Sequence, residues 1–347
     1  MKSKILIVGE KIDEVKSGAD QVNKRNQMLL ERICSVTYIS PKRTRMGKLY
    51  FGISNSVLLE LQKELSSSLY DYIFVEQSLQ GRICKYVKTK FPKIIIIAFF
   101  HNIEVQYASE YLKTRGAKAI PFYMLVKYWE RQTCRFADWL ITLNERDSFL
   151  LCKIYKRKSK LELPTSFSDI FDDVAFQKEN TLSKEQQIDY LFVGVSFFAN
   201  VDGVQWFISQ VMPKVKGQLY IVGKGMDKVE FEDLSSRIHV FGFVEDLSKF
   251  YYRAKVVISP IRVGGGMKTK TAEALMYGKT ILGTSEAFEG YKIDDRCMTL
   301  CNTADDFVRT INFQEEKSQL LNNAARQLFL DNYCNSKALE KLEMLFK

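Results

Sequence analysis

Two short apolar runs that each end on a glycine, KILIVG at 4–9 and DYLFVG at 189–194, stand 185 positions apart and open the same kind of series. After the first, apolar runs at 5–8, 36–39, 72–75, 94–99 and 139–142 are separated by helix-length segments, among them 20–34, 56–65 and 121–136. After the second, runs at 190–193, 219–222, 239–241, 256–259 and 280–283 are separated by segments that include 201–211, 246–254 and 269–277. Strands that are apolar throughout need cover on both faces, and intervening helices supply it, which predicts parallel sheets. The expected fold is α/β, with two Rossmann-like, doubly wound domains facing a cleft. A length of 347 residues agrees, because one hydrophobic core rarely serves so long a chain. The sequence predicts a first domain at 1–168, a polar linker at 169–187, a second domain at 188–325 and a C-terminal helical segment at 326–347 that packs back on the first domain.

Charge divides along the same line. Residues 1–168 hold 29 Lys+Arg and 16 Asp+Glu, and residues 169–347 hold 22 and 25, so the net +10 is +13 in one half and −3 in the other. Such asymmetry points to a polyanionic partner for the first half: a nucleic acid, an anionic membrane surface or a phosphorylated substrate. The basic residues lack the aromatic interleaving of an RNA-reading motif, which ranks nucleic acid last. Two histidines, His101 and His239, make a His-rich metal centre an unpromising reading. Seven scattered cysteines without Cys-x2-Cys spacing fit free thiols in a reducing cytoplasm. The longest aliphatic and aromatic run, at 94–100, has seven residues against the ~18–20 that a membrane span needs. The basic N-terminus leads into an apolar stretch too short for a signal peptide. The expected location is therefore the cytoplasm, with contact at the inner face of the membrane allowed.

The stretch richest in chemistry is PIRVGGGMKTKTAEALMYGK at 260–279. A predicted strand runs into Gly264, Gly265 and Gly266 and then into a helix. Glycines there permit positive φ and close approach by a ligand, and a helix start presents N–H groups and the positive dipole end. Met267 and Thr269 lie between the glycines and the helix, Lys268 and Lys270 add two cations, and Glu273 follows Lys270 by about one turn. Phosphates at the helix mouth with a ribose beside Glu273 describe a nucleoside diphosphate; the bland alternative is a glycine loop before an exposed Lys/Glu face. The Walker ending is missing, and neither first strand is followed by Gly-x-Gly-x-x-Gly, which weakens a dehydrogenase reading.

With FVG at 192–194, Asn200 in ANVDGVQWF at 199–207, LYIVG at 219–223, Gly242 and Phe243 in VFGFVED at 240–246, the glycine stretch and AFEG at 287–290, the second half resembles the donor domain of GT-B fold glycosyltransferases. The match is to the family 4 type (glycosyl transferases group 1) of cell-surface polysaccharide synthesis. It extends into the first half through HNIE at 101–104, Trp129-Glu130, Ala137-Asp138 and NERD at 144–147. The resemblance implies a transferase that moves a sugar from a nucleoside diphosphate sugar to a glycan or lipid-linked saccharide, with retention and with neither cofactor nor metal. It assigns Lys268 and Lys270 to the diphosphate, Glu273 to the ribose, and Gly242 and Phe243 to the base. Asn200, Gly265, Gly266, Met267 and Thr269 join them as donor-binding positions. Position 265 is Gly where many members carry the first acid of a Glu-x7-Glu pair, so a non-catalytic GT-B binding subunit is the alternative.

His101 directly follows the 94–100 run. By itself it reads as a loop histidine; the resemblance places it in the interdomain cleft at the sugar or the acceptor hydroxyl, as a catalytic group beside Lys268 and Lys270. Glu104 reads as an acid at a helix start, and Gly18 as a turn before an Asp20 N-cap or as a cleft loop; both are expected on the acceptor side. His239 reads as structural. Basic clusters at 42–48 and 153–160 are either solvated faces or contacts to an anionic membrane. The apolar stretch at 121–127 fits core packing, with interfacial insertion as the alternative.

Overall fold

The computed structural model describes residues 2–15, 18–41, 49–181, 186–264, 266–314 and 319–346. The chain forms two compact units, Met1–Pro164 with Ala338–Lys347, and Thr165–Lys337. The basic cluster at 42–48 lies outside the described residues.

The first unit is built on a parallel six-stranded sheet in the order β2-β1-β3-β4-β5-β6. Its strands are β1 (Lys4–Val8), β2 (Ser35–Ile39), β3 (Tyr72–Val75), β4 (Ile95–Phe100), β5 (Trp139–Thr142) and β6 (Leu161–Glu162). The helices are α1 (Gly18–Ile33), α2 (Asn55–Ser67), α3 (Gly81–Lys90), α4 (Glu104–Arg115), α5 (Ile120–Phe136) and α6 (Glu145–Tyr155). Leu6, Val8, Ile73, Val75, Ile96 and Ala98 form one core with Leu61 of α2, Val87 of α3 and Val126 of α5. The alternate positions Ile5, Ile7, Phe74, Ile97 and Phe99 are buried as well. Both faces are therefore covered, which is why these strands carry no polar alternation. Asn144 caps α6 by accepting from Asp147 N at 2.9 Å.

The second unit repeats the plan with the order β12-β11-β10-β7-β8-β9. Here β7 (Ile188–Val193) is followed by α8 (Phe198–Gln210), β8 (Leu219–Val222), β9 (Ile238–Phe241), α9 (Ser248–Arg253) and β10 (Ala254–Ser259). Next come α10 (Thr269–Met276), β11 (Thr280–Gly283), β12 (Met298–Leu300), α11 (Ala304–Gln314), α12 (Asn323–Asn332) and α13 (Asn335–Leu345). Strand order reverses between β7 and β10, and in the first unit between β1 and β3. At such points two loops diverge and leave a crevice beyond the strand ends.

Three expectations need revision. The segment read as a polar linker holds a helix, α7 (Asp173–Asn180), which belongs to the second unit. Asp172 caps it by accepting from Val174 N and Ala175 N, Phe171 and buried Phe176 pack on each other and on Tyr252, and Glu179 pairs with Arg253, so two aromatic residues and one ion pair dock a polar stretch. Gly18 is the first residue of α1, not a turn before it, and Asp20 lies in the first turn of that helix rather than at its cap. The stretch at 121–127 is not simply core: Val126 is buried, whereas Phe122 and Met124 are exposed, as Ile120 and Tyr128 beside them also are.

Candidate active site

The glycine loop leaves β10 at the reversal point of the second sheet. Gly264 and Gly266 have φ of 150° and 66°, where side chains other than glycine are strained. Gly265 lies outside the described residues. Met267, buried, anchors the far side of the loop, and Lys268 occupies the cap position of α10 without a side-chain cap bond. The Tyr291 hydroxyl accepts from Ala272 N, while the N–H groups of Thr269 and Lys270 receive no side-chain acceptor among the described residues. Such a helix start suits an anion.

Both lysines are held in place. Lys270 Nζ donates to Asn200 Oδ1 at 2.6 Å and lies 4.3 Å from the centroid of the Phe192 ring. Asn200 is itself fixed by its Nδ2 donating to Val195 O at 2.8 Å. Gly194 makes room: a Cβ there would stand 2.9 Å from Lys270 Nζ. Burial, then the neighbouring charge of Lys268, lowers the Lys270 ammonium to about 7, well below an ordinary lysine. Lys268 Nζ donates to Gly266 O at 2.9 Å and to Glu286 Oε1 at 2.7 Å. The glycine loop thus brings two cations together, with the Glu286 carboxylate on Lys268 and the charge of Glu273 acting on Lys270.

Glu273 faces the same loop from α10. Its Oε2 accepts from the Tyr251 hydroxyl at 2.9 Å, and buried Tyr251 stacks on Tyr277 with centroids 4.6 Å apart. Burial raises the Glu273 carboxyl. One carboxylate oxygen is therefore committed to Tyr251, and the other has no hydrogen bond among the described residues. Gly242 abuts the Asp227 carboxylate, and the Phe243 ring is 74% exposed, open to stacking by a planar ligand.

In the first unit, His101 follows β4. Its Nε2 lies 2.7 Å from Asn23 Oδ1 and its ring meets Phe99 edge to face. Burial and Arg25 hold the imidazole down at about 4, so it is neutral at pH 7. Its neighbour Glu76 fills the reversal point of this sheet: Gln27 Nε2 donates to Glu76 Oε1 at 2.7 Å, and burial pushes the carboxyl up to about 7. Gly9 is required here, since a Cβ would stand 1.7 Å from Glu76 Oε2. Glu104 begins α4, whose cap residue Ile103 offers no side-chain acceptor. Glu130 takes over that role, accepting from Glu104 N at 2.7 Å, Val105 N at 3.1 Å, Ser78 Oγ at 3.0 Å and Tyr155 Oη at 2.8 Å. Burial and the facing Glu130 raise the Glu104 carboxyl to about 7. Gly18, exposed on α1, touches none of these groups among the described contacts.

The structure thus gathers Lys268, Lys270, Asn200, Gly266, Met267, Thr269 and Glu273 around one loop, while His101, against Asn23 and Phe99, and Glu104, facing Glu130, lie in the other unit. Sequence reasoning missed Glu286, Tyr251 and Glu76. Glu76 directly follows β3 at the reversal point of its sheet, and Glu286 comes three residues after β11, the neighbour of β10; those strand ends are the signal that singles them out. Nothing in the sequence pairs Tyr251 with Glu273. His239 lies in β9 against Tyr220. No group of three or more His, Cys, Asp or Glu that could hold a metal occurs among the described residues.

Residues 187–313 match the family model described as Glycosyl transferases group 1. The chain is 23% identical over 316 residues to an uncharacterized 44.6 kDa protein in the cps region of Klebsiella pneumoniae, covering 81% of this chain and 76% of that one. Sucrose-phosphate synthase from Thermosynechococcus elongatus superposes with a TM-score of 0.75 at 14% identity, covering 100% of this chain and 98% of that one. HepE from Anabaena, in complex with UDP and glucose, gives 0.64 at 12% identity and 99% coverage of both chains. The two six-stranded parallel sheets with their helices are the GT-B fold of these structures.

Proposed function

We propose that this chain, whose residues 187–313 match the glycosyl transferases group 1 model, is a glycosyltransferase that uses a nucleoside diphosphate sugar as donor, and that Lys268, Lys270 and the start of α10 receive the diphosphate. The observation that carries the reading is the pair of lysines at the glycine loop, one held by Asn200 and the other by Glu286. As the glycosidic bond to the leaving phosphate breaks, negative charge grows on the phosphate oxygens. Fixed cations and helix N–H groups stabilise that charge without reorganising. Glu273, with one oxygen free of Tyr251, accepts from the ribose hydroxyls, and Phe243 lies against the base. Gly242, whose missing side chain leaves room for the Asp227 carboxylate, precedes Phe243 on the base side.

HepE was solved with UDP and glucose, which supports a nucleotide-sugar donor here. The acceptor is a glycan or lipid-linked saccharide presented by the first unit, in cell-surface polysaccharide synthesis; the cps-region relative favours that setting. On the first unit, neutral His101 is the candidate group for the acceptor hydroxyl, and Glu104 is a further acceptor-side candidate. Transfer proceeds with retention and without metal, in the cytoplasm, with the basic first unit against the anionic inner face of the membrane. No helix among the described residues is long and apolar enough to cross a membrane, so contact would be peripheral.

Incubating the protein with a panel of UDP-, GDP- and ADP-sugars and measuring both the thermal shift and nucleoside diphosphate release tests the proposal. One sugar nucleotide should stabilise the fold and be turned over. Stabilisation without release or transfer would favour the non-catalytic binding subunit, and no stabilisation by any of them would refute donor binding.

A further inference from the structure

We propose that a groove on the first unit, between the C-terminal ends of α5 and α6, is a binding site for a phosphate group, distinct from the sugar-nucleotide site. The groove has a volume of about 590 Å³, and its lining includes Lys127, Arg131 and Arg135 of α5 with Lys156 and Arg157 after α6. No carboxylate lines it. The three α5 cations follow one another at intervals of four, which places them on one face of the helix.

None of Lys127, Arg131, Arg135 and Lys156 makes an ion pair among the described residues; Lys127 and Arg135 only rest against the rings of Tyr123 and Phe136. The remaining cation does a different job. Arg157 donates to the carbonyls of Cys134, Ala137 and Asp138 at 2.7, 3.1 and 3.2 Å, covering the end of α5 where the helix dipole would otherwise repel an anion. The nearby acids are already engaged. Glu130 accepts from Tyr155, whose ring lines the groove, and Asp138 accepts from Lys88 and Ile96 N. Lys156 reaches the groove because it adopts the left-handed conformation (φ 59°) that ends α6 and turns the chain back across α5. Lys156 Nζ donates to Lys153 O at 3.4 Å, and four cations without an acidic partner around one concavity favour a shared anion.

The place is also informative. In a parallel sheet all strands start at one edge. Helix α5 ends just before β5 starts, and α6 ends ahead of β6, so the groove lies at the strand-start edge. His101 and Glu76 lie at the opposite edge, beyond the ends of β4 and β3. A phosphate bound in the groove is therefore held away from the candidate reaction centre of this unit, as an anchor. The chemistry is that of a phosphate mono- or diester, carried on a lipid headgroup or free in solution.

The test uses the full chain carrying Lys268→Ala with Lys270→Ala, which removes both cations of the second unit's anion site. It is titrated calorimetrically with inorganic pyrophosphate. Separately, it is sedimented with vesicles of equimolar phosphatidylglycerol and phosphatidylcholine and with phosphatidylcholine alone. Arg131→Glu with Arg135→Glu should weaken binding about tenfold or more, and the matching Gln pair should weaken it less. Lys24→Glu with Lys63→Glu, the same charge change elsewhere on the unit, should cost less than about threefold. Pyrophosphate binding would identify a free phosphate, and binding to the anionic vesicles alone would identify a headgroup. Failure of both probes to bind, or equal losses in the two Glu pairs, would overturn the proposal. If the Glu pair lowers the melting temperature, the Gln pair decides.

Discussion

Lys270 and Asn200, from helices that follow different strands, meet at 2.6 Å across the point where strand order reverses in the second sheet. Asn200 Oδ1 is the only hydrogen-bond acceptor that Lys270 Nζ has among the described residues, and its other neighbour is the Phe192 ring. Removing a partner from a buried charge costs ~1.5–3 kcal/mol. Asn200→Ala should therefore lower kcat/KM for the donor by about 10- to 100-fold, with the fold intact. Steady-state kinetics beside a thermal melt checks this; unchanged kinetics would show that the contact does not position Lys270.

The depressed Lys270 ammonium predicts a pH effect on binding. With a value of about 7 the free protein has lost about half of this charge at pH 7 and loses the rest as pH rises, whereas a bound diphosphate favours the protonated form. Affinity for the nucleoside diphosphate should fall above pH 7, with uptake of up to about one proton per ligand. Calorimetry in buffers of different ionisation enthalpy measures that uptake, and Lys270→Ala should abolish it.

Glu286 pairs with Lys268 at 2.7 Å, with both side chains mostly buried, and on the proposed reading it competes with a phosphate oxygen for that cation. Replacing it by Gln removes a competing anion. Nucleoside diphosphate should bind about 3- to 10-fold tighter to Glu286→Gln, and product release should slow. Weaker binding would mean that Glu286 instead holds Lys268 in its working position.

Glu76 makes stability depend on pH in the opposite sense from an ordinary ion-paired acid. Its folded value of about 7 lies above the unfolded 4.5, so the folded state holds the proton more tightly. Its contribution is present in full below pH 4.5 and is lost as pH rises through 7. Glu76→Gln should flatten the denaturation midpoint over that window, with Glu104, raised to about 7 as well, leaving a residual slope. A midpoint that falls as steeply in Glu76→Gln as in the parent would contradict the assignment.

The strands were legible because burial on both faces leaves apolar runs with no polar alternation, and 72–75 and 139–142 coincide with β3 and β5. Strands β6 and β12 were missed: Leu161–Glu162 is two residues long, and Met298–Leu300 is a three-residue edge strand interrupted by Thr299. The glycine loop and its lysines could be read because strand, glycines and helix start are contiguous. Their partners could not. Glu286 sits on Lys268 and Asn200 on Lys270 only because β7, β10 and β11 are neighbours in the sheet, a pairing that no local pattern encodes. Glu130 shows the same limit: it caps α4 from α5, a helix that begins after α4 has ended.

The central claim is that Lys270 belongs to a nucleoside diphosphate site. Its most direct test is calorimetric titration of UDP, GDP and ADP into the parent protein and into Lys270→Ala at pH 7. At least one nucleoside diphosphate should bind the parent, and the variant should lose about 100-fold or more in affinity. Equal binding to both proteins, or binding of none of the three to the parent, would contradict it.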